Sequence, residues 1–93
     1  MFNFCNENAD LWIQTKGKNA GQPLKEPIPN SIGTKVNPDV LLPGFMYYTV
    51  LYLYNASQFQ PHIKGSVIPY ITQKDIASVI LRHFAMRVII KGA

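Results

Sequence analysis

Prolines fix where the helices and strands of this chain can begin and end. A proline restricts its own φ angle, has no backbone N–H to donate, and favours extended geometry in the residue before it. Pro43 therefore fits only the first turn of a helix, and Pro61 ends that helix after Gln60. Together they predict a helix near residues 42–58. An alternative start lies at residues 37–39 (Asn-Pro-Asp), which combine a capping side chain, a proline and an acid.

The apolar residues of this predicted helix recur at helical spacing. Met46, Val50 and Leu53 share one stripe. Residues 40–59 carry no charge, but they include proline, glycine and asparagine and so favour a buried helix over a membrane span. The tyrosines are too many for one buried face, so some are expected at the surface: Tyr47, Tyr48, Tyr52 and Tyr54. Exposed tyrosine is a common anchor of protein interfaces, and packing at the rim of the core is the ordinary alternative.

Two strands are predicted, near residues 10–16 and 64–71. In the first, Leu11 and Ile13 alternate with Trp12, as expected of a pleated surface. The second contains Pro69, which cannot donate to a ladder, so this strand should lie at a sheet edge or break there. A further short strand is expected at residues 31–36. Between them, residues 17–29 carry three prolines and two glycines and predict a restrained loop.

A second helix is predicted near residues 73–86. Thr72 and Asp75 have the spacing of a capping box, and Ile76 and Ile80 continue at helical spacing. Residues 86–90 fit either a helix or a strand. Ninety-three residues are too few for two independent cores. The expected architecture is therefore one α+β domain, residues 1–93, with a short sheet and two helices.

The composition narrows the class of protein. With 47% hydrophobic residues the chain can fold, and its single cysteine, Cys5, cannot form an internal disulfide. The N-terminal residues lack the features of a signal peptide, so a cytoplasmic protein is expected. The net charge of +4 suits contact with phosphate or acidic surfaces, and it equally suits solubility alone.

No pattern of residues indicates catalysis or metal binding. His62, His83 and Cys5 do not fall at a metal-ligand spacing, and amphipathic or element-boundary roles explain both histidines. Asp39 and Asp75 are accounted for by helix N-termini. The chain also lacks a phosphate-binding loop and a nucleophile motif. We therefore expect a protein that is not an enzyme and needs no cofactor.

Binding chemistry is concentrated in two groups of cations. The loop carries Lys16, Lys18 and Lys25 together with the hydrogen-bonding Asn19, and a restrained loop loses little entropy on docking. The second group lies on and near the last helix and comprises Lys64, Lys74, Arg82, Arg87 and Lys91, of which Lys74, Arg82 and Arg87 are the candidate binding residues. Solvated surface charge is the plain alternative for each group. Aromatic residues do not interleave with these cations along the sequence, so an RNA-stacking platform is not indicated.

Three resemblances suggest a biological setting. The sequences KGKNAGQPLKEPIPNS and FQPHIKGSVIPYITQKDI resemble a family of short bacterial proteins of mobile elements, which implies no particular activity. The segment GSVIPYITQKDI is similar to part of the DNA target-recognition domains of type I restriction specificity subunits. In size, charge and lack of catalytic motifs the chain also resembles type VI-B anti-CRISPR proteins, which inhibit an RNA-guided RNA nuclease.

These resemblances and the cationic groups lead to one expected function. It is a non-enzymatic phage or mobile-element inhibitor that binds a host protein or ribonucleoprotein, such as a CRISPR effector nuclease. Nucleic acid contact is compatible with this function, and no membrane is involved. The alternative is a module that binds DNA or RNA directly.

Overall fold

An antiparallel sheet lies against two helices in the computed structural model, which describes the backbone of residues 1–92 and every side chain within them except those of Pro43 and residues 86–92. The sheet has four strands, β1 Phe2–Cys5, β2 Leu11–Gln14, β3 Pro23–Leu24 and β4 Ser31–Val36. Their order across the sheet is β1-β4-β2-β3. The helices are α1 Pro43–Asn55 and α2 Gln73–Gly92, with a 3₁₀ turn at Gln60–His62 between them. The predicted α+β class is confirmed.

The buried side chains of the sheet all lie on the face that meets the helices. Strand register places Leu11 opposite Thr34 and Ile13 opposite Ile32, so these residues share one face. The predicted apolar stripes of both helices complete the core. Its helix and loop members are Ala20, Met46, Val50, Leu53, Phe59, Ile71, Ile76, Val79 and Ile80.

Both helices begin close to their predicted positions. Pro43 occupies the first turn of α1, whereas residues 37–39 form a turn in which the Asp39 N–H donates to Asn37 Oδ1 over 3.0 Å. Thr72 caps α2, because its Oγ1 accepts from the Asp75 N–H over 3.2 Å. The helix then continues past residue 86 to Gly92, so the backbone of residues 86–90 is helical.

The strand predicted at residues 64–71 is wrong. Lys64 and Tyr70 pair through two backbone hydrogen bonds of 2.9 and 2.8 Å, and the residues between them form a tight loop. Two residues explain the break. Gly65 has a φ of +95°, where a Cβ would meet the Ile68 carbonyl, and Pro69 has no N–H to continue a ladder. The strand predicted at residues 10–16 is present as Leu11–Gln14.

One buried hydroxyl offers a stability test. Thr34 is fully buried, and its Oγ1 has no hydrogen-bond partner among the described residues. Because an unpaired buried hydroxyl costs free energy, Thr34→Val should raise the free energy of unfolding by about 1 kcal/mol. Urea denaturation followed by circular dichroism measures the change.

A matched control exists at Thr49, which is also buried. Its Oγ1 donates to the Phe45 carbonyl over 2.8 Å, so Thr49→Val removes a hydrogen bond and should give no gain. Equal effects at the two threonines would contradict the assignment of an unpaired hydroxyl at Thr34.

Candidate functional site

The turn that joins β2 to β3 displays two of the predicted cations. Gly17, with a φ of +97°, donates its N–H to the Pro69 carbonyl over 2.8 Å and anchors the turn on the neighbouring loop. Lys16 and Lys18 flank this glycine, and both side chains reach the surface. The predicted Asn19 follows them, and its Oδ1 accepts a hydrogen bond of 3.3 Å from the Tyr54 hydroxyl on α1. The turn therefore brings Lys16, Lys18 and Asn19 together.

Lys25 lies at the opposite end of the same hairpin. Register pairs Ile13 with Pro23, so Lys25 falls beside Leu11, five positions before Lys16. At about 3.3 Å per residue this separates the two lysines by about 17 Å along the strand. The Lys25 Nζ instead lies 5.5 Å from the ring centroid of Tyr47 on α1, a cation–π contact. The three predicted loop lysines thus form two sites.

The start of α2 contains a network around Asp75. This carboxylate forms an ion pair with Lys64, accepts a 2.9 Å hydrogen bond from the Thr72 hydroxyl, and lies 3.8 Å from His62 Nδ1. The hydrogen bond from Lys64, and then the one from Thr72, hold the pKa of Asp75 below its ordinary value. The charge of Lys64 is therefore compensated by Asp75. Lys74, which precedes Asp75 in the sequence, is exposed and makes no ion pair with the described residues.

Arg82 lines a groove between the two helices. The groove has a volume of about 340 Å³. Its lining contains one arginine, two histidines and a tyrosine, without a carboxylate among the described residues: Tyr52, Leu53, Gln58, His62, Ser78, Val79, Arg82 and His83. We call it the interhelical groove. A second depression of about 160 Å³ adjoins it and shares Tyr52 and His83. Of the predicted site residues, the described side chains place only Arg82 here.

Exposed aromatic side chains follow α1 along this groove. Tyr48 and Tyr52, one helical turn apart, are 65% and 60% exposed, and Phe45 is 47% exposed. The Tyr52 ring centroid lies 5.9 Å from that of His83, which lies 5.4 Å from Phe84. Tyr48 makes an edge contact with Tyr47 at 5.4 Å. The prediction that some tyrosines of this helix are exposed is confirmed.

Cations outside ion pairs with the described residues occur at several separate places on the protein surface. Five cations at the surface make no ion pair with the described residues: Lys16, Lys18, Lys25, Lys74 and Arg82. Two carboxylates already form ion pairs with other lysines: Asp10 with Lys35, and Asp75 with Lys64. The side chain of the remaining predicted residue, Arg87, lies outside the described residues.

Comparison with known protein families gives a match over most of the chain. A family model, described as a family of unknown function (DUF6943), matches residues 4–88. The chain belongs to DUF6943. No curated protein and no solved structure shows a significant match to it.

In this DUF6943 chain the groove is the feature that the sequence did not predict. Tyr52 and His83 lie on different helices, and only the packing of α1 against α2 brings them together. In the sequence, the only indication of this groove was the number of tyrosines on α1, which is too large for one buried face. Among the residues described, no helix is long and apolar enough to cross a membrane, and no group of three His, Cys, Asp or Glu could hold a metal ion.

Proposed function

We propose that this protein is a non-enzymatic inhibitor that binds an acidic surface of a host nucleoprotein. The observation that carries the proposal is the β2–β3 turn, where Lys16 and Lys18 reach the surface and are unpaired with any described residue. The turn is held by backbone hydrogen bonds of 2.7 Å from Gly21 to Gln14 and 2.8 Å from Gly17 to Pro69. A preorganised pair of cations loses little entropy when it docks on an acidic partner.

The resemblance to type VI-B anti-CRISPR proteins supports a specific partner class. It is the RNA-guided RNA nuclease of a bacterial defence system, assembled with its guide RNA and located in the host cytoplasm. Such a ribonucleoprotein offers both phosphates and acidic protein surfaces. The alternative function, direct binding of DNA or RNA, is supported by a different observation: Tyr52 and Arg82 line one groove.

An inhibition assay tests this function. Purified protein is added to a type VI-B effector with its guide RNA, and cleavage of a fluorescent target RNA is followed. We expect inhibition by the native chain and its loss on Lys16→Glu with Lys18→Glu, because reversed charges repel an acidic partner. Thermal stability should stay nearly constant, since exposed substitutions usually change it by within about 0.5 kcal/mol each.

A charge-compensated variant provides the matched control. Adding Glu7→Lys and Asp39→Lys returns the four charges that the double reversal removes, so the net charge is again +4. Both acids are exposed and lie outside the turn: Glu7 is in the connection between β1 and β2, and Asp39 follows the end of β4 that is opposite the turn. If inhibition depends on the location of Lys16 and Lys18 and not on net charge, the compensated variant should still fail to inhibit the nuclease. Recovery of inhibition in that variant, or full inhibition by the double reversal, would refute the assignment to the turn.

A further inference from the structure

We propose that the interhelical groove and the adjoining aromatic face of α1 bind single-stranded RNA, with bases stacked on Tyr52 and Tyr48 and a phosphate held by Arg82. This inference concerns a second site and goes beyond the proposed function, on which it rests only for the choice of RNA over DNA. Proteins that bind single strands combine aromatic side chains for the bases with cations for the backbone. The tertiary structure provides that combination, although the order of residues in the sequence does not.

The aromatic part of the site is accessible and well supported. Tyr48 and Tyr52 present most of their surface to solvent, at 65% and 60% exposure. Each ring is also held from one side: Tyr52 by His83 at 5.9 Å, and Tyr48 by Tyr47 at 5.4 Å. Rings positioned in this way lose little rotamer entropy when a base stacks on them. Every base has a flat π face, so such stacking tolerates any sequence.

Cationic side chains lie beside the exposed aromatic rings and favour a negatively charged ligand. Arg82 lines the groove beside Tyr52, and Lys25 lies over Tyr47 on the other side of the aromatic face. Neither cation makes an ion pair with a described residue. Two nearby carboxylates are engaged: Asp10 accepts from the Val36 N–H over 2.8 Å and pairs with Lys35, and Asp75 pairs with Lys64. Arg82 therefore places positive charge at the groove, whereas at the Tyr47 edge Lys25 shares a depression with Asp10, whose charge Lys35 offsets.

The shape of the site favours a single strand over a duplex. A duplex keeps its bases stacked on one another, so its rings are not available to side chains of this kind. The interhelical groove and its neighbour, about 340 and 160 Å³, share Tyr52 and His83 in their linings and lie beside α1. An unpaired strand can lie along this path with successive bases turned toward Tyr48 and Tyr52.

The test uses fluorescence anisotropy with a labelled twelve-nucleotide oligouridine at low salt. We expect the native chain to bind it more tightly than a duplex RNA of equal length. Tyr52→Leu should weaken binding about 5- to 150-fold, because loss of one stacked base costs about 1–3 kcal/mol. Tyr52→Phe should retain binding, since it keeps the ring. Arg82→Gln should reduce the slope of log affinity against log salt by about 0.7, the value for one phosphate contact on a single strand.

Matched controls separate this site from general effects. Tyr70→Leu removes an exposed tyrosine that lies beside Lys16, outside the groove, and should leave binding unchanged. Lys74→Gln removes one exposed charge of α2 that does not line the groove, so its effect should be smaller than that of Arg82→Gln. Circular dichroism melting checks that each variant is folded.

Several results would overturn the proposal. One is full affinity in folded Tyr52→Leu, and another is duplex binding as tight as single-strand binding. Competition by uridine monophosphate as strong as by the oligonucleotide would assign the groove to a free nucleotide instead. If oligouridine does not bind at all, the proposal is wrong, and the groove would then be assigned to protein docking instead. Because oligouridine binding is measured without the nuclease, failure here is distinct from failure of the inhibition assay, which depends on Lys16 and Lys18.

Discussion

Replacement of Phe59 by alanine is expected to lower the free energy of unfolding by about 3–5 kcal/mol. Phe59 is among the largest fully buried side chains of the described residues. It follows α1 and packs against Gly21 in the β2–β3 turn, so closely that a Cβ at Gly21 would lie only 2.9 Å from the ring. The turn cannot collapse into the cavity left by alanine, because the Gly21 N–H is held by the Gln14 carbonyl over 2.7 Å.

Urea denaturation of the variant measures this loss, and Phe45→Ala is its control. Phe45 undergoes the same chemical change but is 47% exposed, so less than about 1 kcal/mol should be lost there. The Phe59 variant should also weaken the proposed site at Lys16 and Lys18, since the turn then loses its support. Similar losses of stability at the two phenylalanines would contradict a rigid core beneath the turn.

The helices were predictable because their signals are local. Pro43 has to stand in a first helical turn, and the Thr72 hydroxyl caps α2 by accepting from the backbone N–H of Asp75, three residues on. The buried stripe Met46, Val50 and Leu53 follows directly from the helical period. In each case the residues that decide the structure lie within a few positions of one another.

The sheet was less predictable because pairing decides which segments become strands. β1 and β3 were not predicted: β3 is only two residues long, and it exists because Pro23 and Leu24 pair with β2. Conversely, the apolar run 64–71 looked like a strand but closes on itself at Gly65. The lysines of the loop were found from charge alone, whereas their division into two sites follows from strand register.

The interhelical groove shows the same limit at the level of function. Tyr52 and Arg82 are thirty positions apart and belong to separate helices, so no spacing in the sequence links them. Each residue alone fits an ordinary surface role. Packing of the helices brings the two residues into one groove. Only then can a single ligand stack on Tyr52 and place a phosphate at Arg82, which is the combination that indicates a single-strand binding site.

A second large loss of stability is expected from Gly33→Val. Gly33 lies in β4 opposite Cys5 of β1, and a Cβ at this position would lie 2.7 Å from the Cys5 carbonyl oxygen and 2.8 Å from the Ala9 Cβ. The first of these neighbours is backbone, so a side-chain rotation cannot relieve the clash. β1 must move away from β4, and overpacking of this kind costs about 3 kcal/mol.

Urea denaturation and amide hydrogen exchange of β1 report the change, with faster exchange expected across Phe2–Cys5 because its pairing with β4 is disturbed. The control is Gly44→Ala in the first turn of α1, where a Cβ would have no neighbour within 4 Å. Since alanine favours helix over glycine, this variant should be unchanged or more stable by up to about 1 kcal/mol. Gly33→Val should therefore lower the free energy of unfolding, whereas Gly44→Ala should not. Native stability in Gly33→Val would show that β1 does not approach β4 as closely as the register requires.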